Sequence, residues 1–192
     1  MTKPTFTSEA LAQAADLLKC TVPHIQTVAD VESAGGGFFP DGSPKTLFEG
    51  HIFHKYTAGK YAATHPTLCY RKWTREYYGR NWRQEVERRE AAIELDRKAA
   101  LLSMSWGAFQ IMGFNYTLAG FKNVQSFVNA MFKDQDEHLL AFTHVMLEFG
   151  LDDELRNCDW ARFARRYNGP GWQKNDYAGR LARAYSHYEA FA

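Results

Sequence analysis

Glu32 occupies the position in this sequence where acid chemistry is easiest to build. It closes the run Ile25-Gln26-Thr27-Val28-Ala29-Asp30-Val31-Glu32, just ahead of Gly35, Gly36 and Gly37. Helical steps counted from Ile25 place positions 28, 29 and 32 on one face, so Glu32 falls on the apolar stripe of its own helix. A carboxyl group there is poorly hydrated, its pKa rises, and it stays protonated near neutrality. Such a group can give a proton to a leaving glycosidic oxygen. The ordinary alternative is a helix-terminal Glu that points to water or pairs with an arginine.

Two later stretches carry polar groups suited to a ligand. In Ser105-Trp106-Gly107-Ala108-Phe109-Gln110-Ile111, Gly107 permits close backbone approach and Gln110 offers both a donor and an acceptor to hydroxyl or acetamido groups. A capped turn with an apolar continuation explains the same residues. In Arg166-Tyr167-Asn168-Gly169-Pro170-Gly171-Trp172, Tyr167 sits at a helix end beside a glycine-rich loop, although Asn-Gly alone is an ordinary turn signal. Each element is unspecific by itself; their order in one chain is more telling.

Other chemistries find no support. His51 and His54 are three apart, but no His-Glu-x-x-His pattern accompanies them, so they read as polar neighbours and no metal is expected. There is no Gly-x-Ser-x-Gly nucleophile elbow, and Gly35–Gly37 lacks the lysine of a phosphate-binding loop. Cys20, Cys69 and Cys158 are odd in number and scattered, which predicts buried free thiols and no disulfide framework. A net charge of +1 gives no general attraction to nucleic acid, membrane or another polyanion. The first residues show no secretion signal, and no stretch is long enough to span a bilayer. Aromatic residues make up 15% of the chain, enough to serve either sugar stacking or an aromatic-rich core.

These groups need a scaffold, and 192 residues suffice for one domain with a substantial core, taken here as residues 1–192. Ser8 to Lys19 predicts a first helix capped by Thr7 or Ser8, and Thr21 caps a second that runs through Pro23 to about Ser33. Phe38 to Phe53, with its Pro40–Pro44 turn, predicts a small hairpin. Gln84 to Ser103 predicts a largely solvated helix. Val124 to Phe149 predicts a helix broken near Lys133-Asp134, followed by amphipathic segments around Trp160–Tyr167 and Tyr177–Tyr188. The sum is an α+β domain, mostly helical, with one small sheet.

Glu32-Ser33, Ser105-x-Gly107-x-x-Gln110-Ile111 and Tyr167-Asn168-Gly169, in that order, resemble the motifs of goose-type lysozymes and lytic transglycosylases. More closely, Val31-Glu32-Ser33-x-Gly35-Gly36-Gly37-Phe38 and Leu47-Phe48-Glu49-Gly50-His51-x-Phe53 resemble the N-acetylmuramidase domain of phage endolysins. The likeness runs from about Ala10 to about Tyr188. It implies a lysozyme-like fold with a small β-hairpin sheet beside the cleft, cleavage of the MurNAc-β-1,4-GlcNAc bond of peptidoglycan, and no metal or organic cofactor. Carried over by position, Glu32 matches the catalytic acid, and Ser105, Gln110, Tyr167 and Asn168 match residues lining the sugar cleft. The second carboxylate is expected on the sheet, which favours Glu49 at the end of the second hairpin strand. Asp30 lies on the far side of its helix from Glu32 and Asp41 at a turn tip. The expected partner is the glycan strand, with no nucleic acid, no stable membrane insertion and a monomeric enzyme. Synthesis in a host cytoplasm, followed by passage through a pore to the wall, fits a phage lysin. A lytic transglycosylase and a non-catalytic peptidoglycan-binding module are the competing readings.

Overall fold

The structure is a computed structural model that describes residues 5–33, 35–169, 173 and 175–191. The chain divides into two compact units that alternate along the sequence. One comprises Met1–Gly36, Leu118–Gly120 and Gln135–Ala192; the other comprises Gly37–Thr117 and Phe121–Asp134.

The first unit is helical. Helix α1 (Ser8–Leu18) starts where Thr7 Oγ1 accepts from Ala10 N at 3.2 Å, and it buries Ala10, Ala14, Ala15 and Leu18 along one stripe. Helix α2 (Val22–Glu32) is opened by Thr21, whose hydroxyl and amide meet His24 Nδ1 at 2.8 and 3.3 Å. Leu18, Ile25 and Val28 are fully buried, each contributing about 1.5–3 kcal/mol of hydrophobic stabilisation. Helix α7 (Gln135–Glu148) packs on α1, while α8 (Asp152–Arg156), α9 (Trp160–Asn168) and α10 (Tyr177–Glu189) complete the unit; α10 lies along α2.

The second unit holds a three-stranded antiparallel sheet in the order β1-β2-β3, formed by Thr46–Phe48, Met104–Trp106 and Ile111–Met112. Leu47 faces Ser105 and Trp106 faces Ile111 in register. Helices α3 (Gly50–Tyr56), α4 (Trp82–Leu95), α5 (Arg97–Leu102) and α6 (Val124–Lys133) surround a core that includes Phe48, Phe53, Met104, Trp106 and Phe127.

Most helices fall where the sequence predicts them, including the break at Asp134, whose extended backbone separates α6 from α7. The hairpin expected over Phe38–Phe53 is corrected. Around the Pro40–Ser43 turn only an isolated bridge forms, Phe38 to Pro44, and β1 pairs instead with β2, distant in sequence. The residues after β1 turn helical because Ile52 and Phe53 both donate to the Glu49 carbonyl at 3.0 Å, which lets Phe53 meet Phe48 edge-on at 5.5 Å. The single solvated helix over Gln84–Ser103 is two helices. Asp96 ends α4 and caps α5 by accepting from Ala99 N at 3.0 Å. Although highly charged, α4 turns Glu85 and Arg89 inward, at 7% and 5% exposure.

Candidate active site

In the first unit, Glu32 is the last helical residue of α2, on the stripe that carries buried Ile25, Val28 and Ala29. Ser33 then takes extended geometry and ends the helix. Asn168, at the end of α9, donates from Nδ2 to Glu32 Oε1 at 3.3 Å. Arg180 of α10 donates to the Val31 carbonyl at 3.2 Å, bringing a guanidinium to this helix end. Burial wins over both. It pushes Glu32 up to about 7, with the Asn168 bond and the Arg180 charge pulling weakly the other way. A donor at 3.3 Å is long for a bond to a charged oxygen, which explains its small effect.

Tyr167 is anchored by aromatic packing, edge-on to Phe142 at 5.5 Å and stacked on Phe163 at 6.0 Å. Burial raises its hydroxyl well above the ordinary tyrosine range, and the Glu32 carboxylate adds to that shift. The phenol therefore remains neutral. Pro170, Gly171 and Trp172, the rest of that motif, lie outside the described residues.

In the second unit, Glu49 follows β1 directly and is the N-cap residue of α3. Its backbone amide donates to the Ser103 carbonyl at 2.9 Å, fixing it beside the start of β2. Tyr78 Oη donates to Glu49 Oε1 at 2.7 Å, and His51 Nδ1 stands 3.3 Å from Oε2. The hydroxyl of Tyr78 is raised far above its usual range, first by burial and then by this bond to Glu49. His54 turns away and lies against the Gly59 backbone, so the two histidines do not converge. Among the described residues no group of three or more His, Cys, Asp or Glu is placed to hold a metal ion.

Ser105 and Gln110 belong to the β2–β3 hairpin. Ser105 Oγ donates to Gln110 Oε1 at 2.7 Å, and Gln110 Nε2 donates to the Gly107 carbonyl at 2.9 Å and reaches that of Lys45 at 3.5 Å. Gly107 and Gln110 both take left-handed backbone, φ 74 and φ 49, which tightens the turn. The Gln110 amide is thus engaged inside the turn it closes, and Ser105 is 6% exposed.

The geometry therefore gathers Glu32, Tyr167 and Asn168 in one unit and Ser105 with Gln110 in the other, where Glu49 meets Tyr78 and His51. No motif or periodicity points to Tyr78 or Arg180. Tyr78 lies in an aperiodic stretch 29 residues from Glu49, and Arg180 acts from a helix recognised only by its aromatic stripe.

The family model described as N-acetylmuramidase matches residues 21–189, which takes in every one of these groups. The chain belongs to the N-acetylmuramidase family. It is similar across 99% of its length to 74% of the chain in the crystal structure of Burkholderia AP3 phage endolysin, at 36% identity and a TM-score of 0.88. A comparison with curated proteins found no match. As an N-acetylmuramidase of lysozyme-like α+β fold, the protein is a glycoside hydrolase of peptidoglycan. Among the described residues, no helix of this N-acetylmuramidase is long and apolar enough to cross a membrane.

Proposed function

We propose that the protein is an endolysin-type muramidase that hydrolyses the MurNAc-β-1,4-GlcNAc bond with Glu32 as general acid and Glu49 as general base. The observation that carries this reading is the Glu32 carboxyl, held by burial at a pKa of about 7, so that a large fraction is protonated at neutral pH. Asn168 engages Oε1, which leaves the transferable proton on Oε2. As the anomeric carbon–oxygen bond breaks, that proton passes to the leaving oxygen. Water bonds to the anomeric carbon and gives its proton to Glu49, and exchange with solvent resets both groups. Tyr167 offers a neutral hydroxyl to the substrate. Ser105 and Gln110 serve by setting the shape of the β2–β3 turn, from which backbone groups reach sugar substituents.

One family match runs from residue 21 to residue 189 and takes in segments of both units, which favours a single catalytic domain over residues 1–192. On this reading it works as a monomer on glycan strands, without nucleic acid or cofactor. The phage endolysin neighbour favours synthesis in a host cytoplasm and release to the wall through a pore made by another protein. The test is turbidity loss of outer-membrane-permeabilised cells with wild type and Glu32→Gln, paired with mass spectrometry of the fragments. Reducing ends carrying one added water, absent with folded Glu32→Gln, are expected. Anhydro ends would make the enzyme a lytic transglycosylase, and lysis by Glu32→Gln would remove the acid assignment.

A further inference from the structure

We infer that Tyr78 and His51 are positioning residues for Glu49, holding its carboxylate from both oxygens in one orientation. The inference rests on Glu49 acting as the base, as proposed above. Tyr78 Oη donates to Oε1 at 2.7 Å, within the length of a charge-assisted bond. On the other side His51 Nδ1 and Glu49 Oε2 stand 3.3 Å apart. Both atoms are buried, and among the described residues neither has a hydrogen-bond partner. A buried carboxylate oxygen without a donor beside a buried ring nitrogen without an acceptor is a contact that a small rotation of either side chain completes. The tautomer with its proton on Nδ1 supplies the donor.

The surroundings are rigid where a positioning role requires it. His51 rides the first turn of α3, which is locked because the Glu49 carbonyl accepts from Ile52 and Phe53 and the Glu49 amide donates to Ser103. Tyr78 arrives from a separate stretch, yet buried Glu85 ties the two together. Its carboxylate accepts from Gly79 N, next to Tyr78, and from Phe48 N, next to Glu49, at 3.5 Å in the second case. A Cβ on Gly79 would stand 2.8 Å from Glu85 N, so the close approach needs glycine there. Two donors from separate segments, strapped to one buried carboxylate, converge on Glu49. A base whose lone pair must meet one water in one direction gains from such a hold, because misplacement by about an ångström costs on the order of a hundredfold in rate.

The experiment measures kcat and KM separately on a soluble glycan fragment for Tyr78→Phe, His51→Leu and His51→Asn, each alone and combined with Glu49→Gln. Tyr78→Phe and His51→Leu are each expected to lower kcat by roughly ten- to a hundredfold while KM changes little. His51→Asn, whose amide nitrogen stands near the place of Nδ1, is expected to recover most of that loss. Neither substitution should lower the residual rate of Glu49→Gln any further, since all act through the same carboxylate. Wild-type kcat in both single variants would overturn the inference, as would losses that multiply with that of Glu49→Gln. Should His51→Leu fail to fold, Tyr78→Phe, which removes one oxygen, carries the test with the same outcomes. A wild-type rate in Glu49→Gln itself would overturn the base assignment instead.

Discussion

Glu32 can act as an acid at neutral pH only because burial outweighs the groups that favour its charged form. That balance is adjustable from one neighbour. Asn168 donates to the carboxylate and lowers its pKa, so removing the amide lets burial act unopposed there. With Glu32 as the acid, wild-type kcat/KM is expected to fall as pH rises through about 7, and in Asn168→Ala this alkaline limb is expected to move to higher pH. The profile measured on soluble glycan fragments checks the sign; a limb that stays in place or moves down would dissociate Asn168 from the acid. The face of Glu32 was legible because a helical period converts directly into a face, but a helix-terminal Glu is common, and only the order of the later motifs singled it out. Tyr78 was not legible. Its bond to Glu49 depends on how an aperiodic stretch folds back, and no local pattern encodes that return.

The helices were legible for the same reason as Glu32: caps at Thr7 and Thr21 and stripes of buried residues are local features. The sheet was not, because β1 pairs with a strand far along the chain, while the nearby turn at Pro40–Ser43, which suggests a local hairpin in the sequence, closes only an isolated bridge. The true hairpin is β2–β3, and Gln110 closes it from a left-handed backbone with its amide bonded to Ser105 and Gly107. Gln110→Ala keeps the unfavourable backbone and loses the bonds. It is expected to lower stability by on the order of 1–3 kcal/mol and to lower turnover with it. Gln110→Gly loses the same bonds but relieves the backbone, so its melting temperature should fall less than that of Gln110→Ala. Tyr167→Phe, by contrast, leaves the ring packing on Phe142 and Phe163 intact and should cut turnover with little thermal effect. Melting temperature and specific activity, taken on the same preparations, separate the two behaviours. An inactive but fully stable Gln110→Ala would mean that the amide meets substrate directly.

The two compact units are assembled from interleaved segments, so residues from both ends of the chain stabilise the unit that carries Glu32. That unit also bears the energetic cost of keeping Glu32 buried, and the cost has a definite dependence on pH. A carboxyl whose folded pKa is about 7 binds a proton in the native state over a range where the unfolded chain, near the ordinary value of 4.5, has released it. The native state binds more protons there, so stability falls as pH rises from about 4.5 to about 7 and is level above. Glu32→Gln removes this term. Its thermal stability is expected to match wild type below about pH 4.5, to pull ahead as pH rises, and to hold a constant lead above about 7. At about 1.4 kcal/mol for each pKa unit, that lead is at most about 3–4 kcal/mol, and less where water reaches the carboxylate. Paired melting curves at several pH values measure it. If the units melt separately, the difference belongs to the transition of the unit containing Glu32. A lead that is largest in acid, or the same at every pH, would mean that burial does not hold this carboxyl protonated, and the acid role would lose its physical basis.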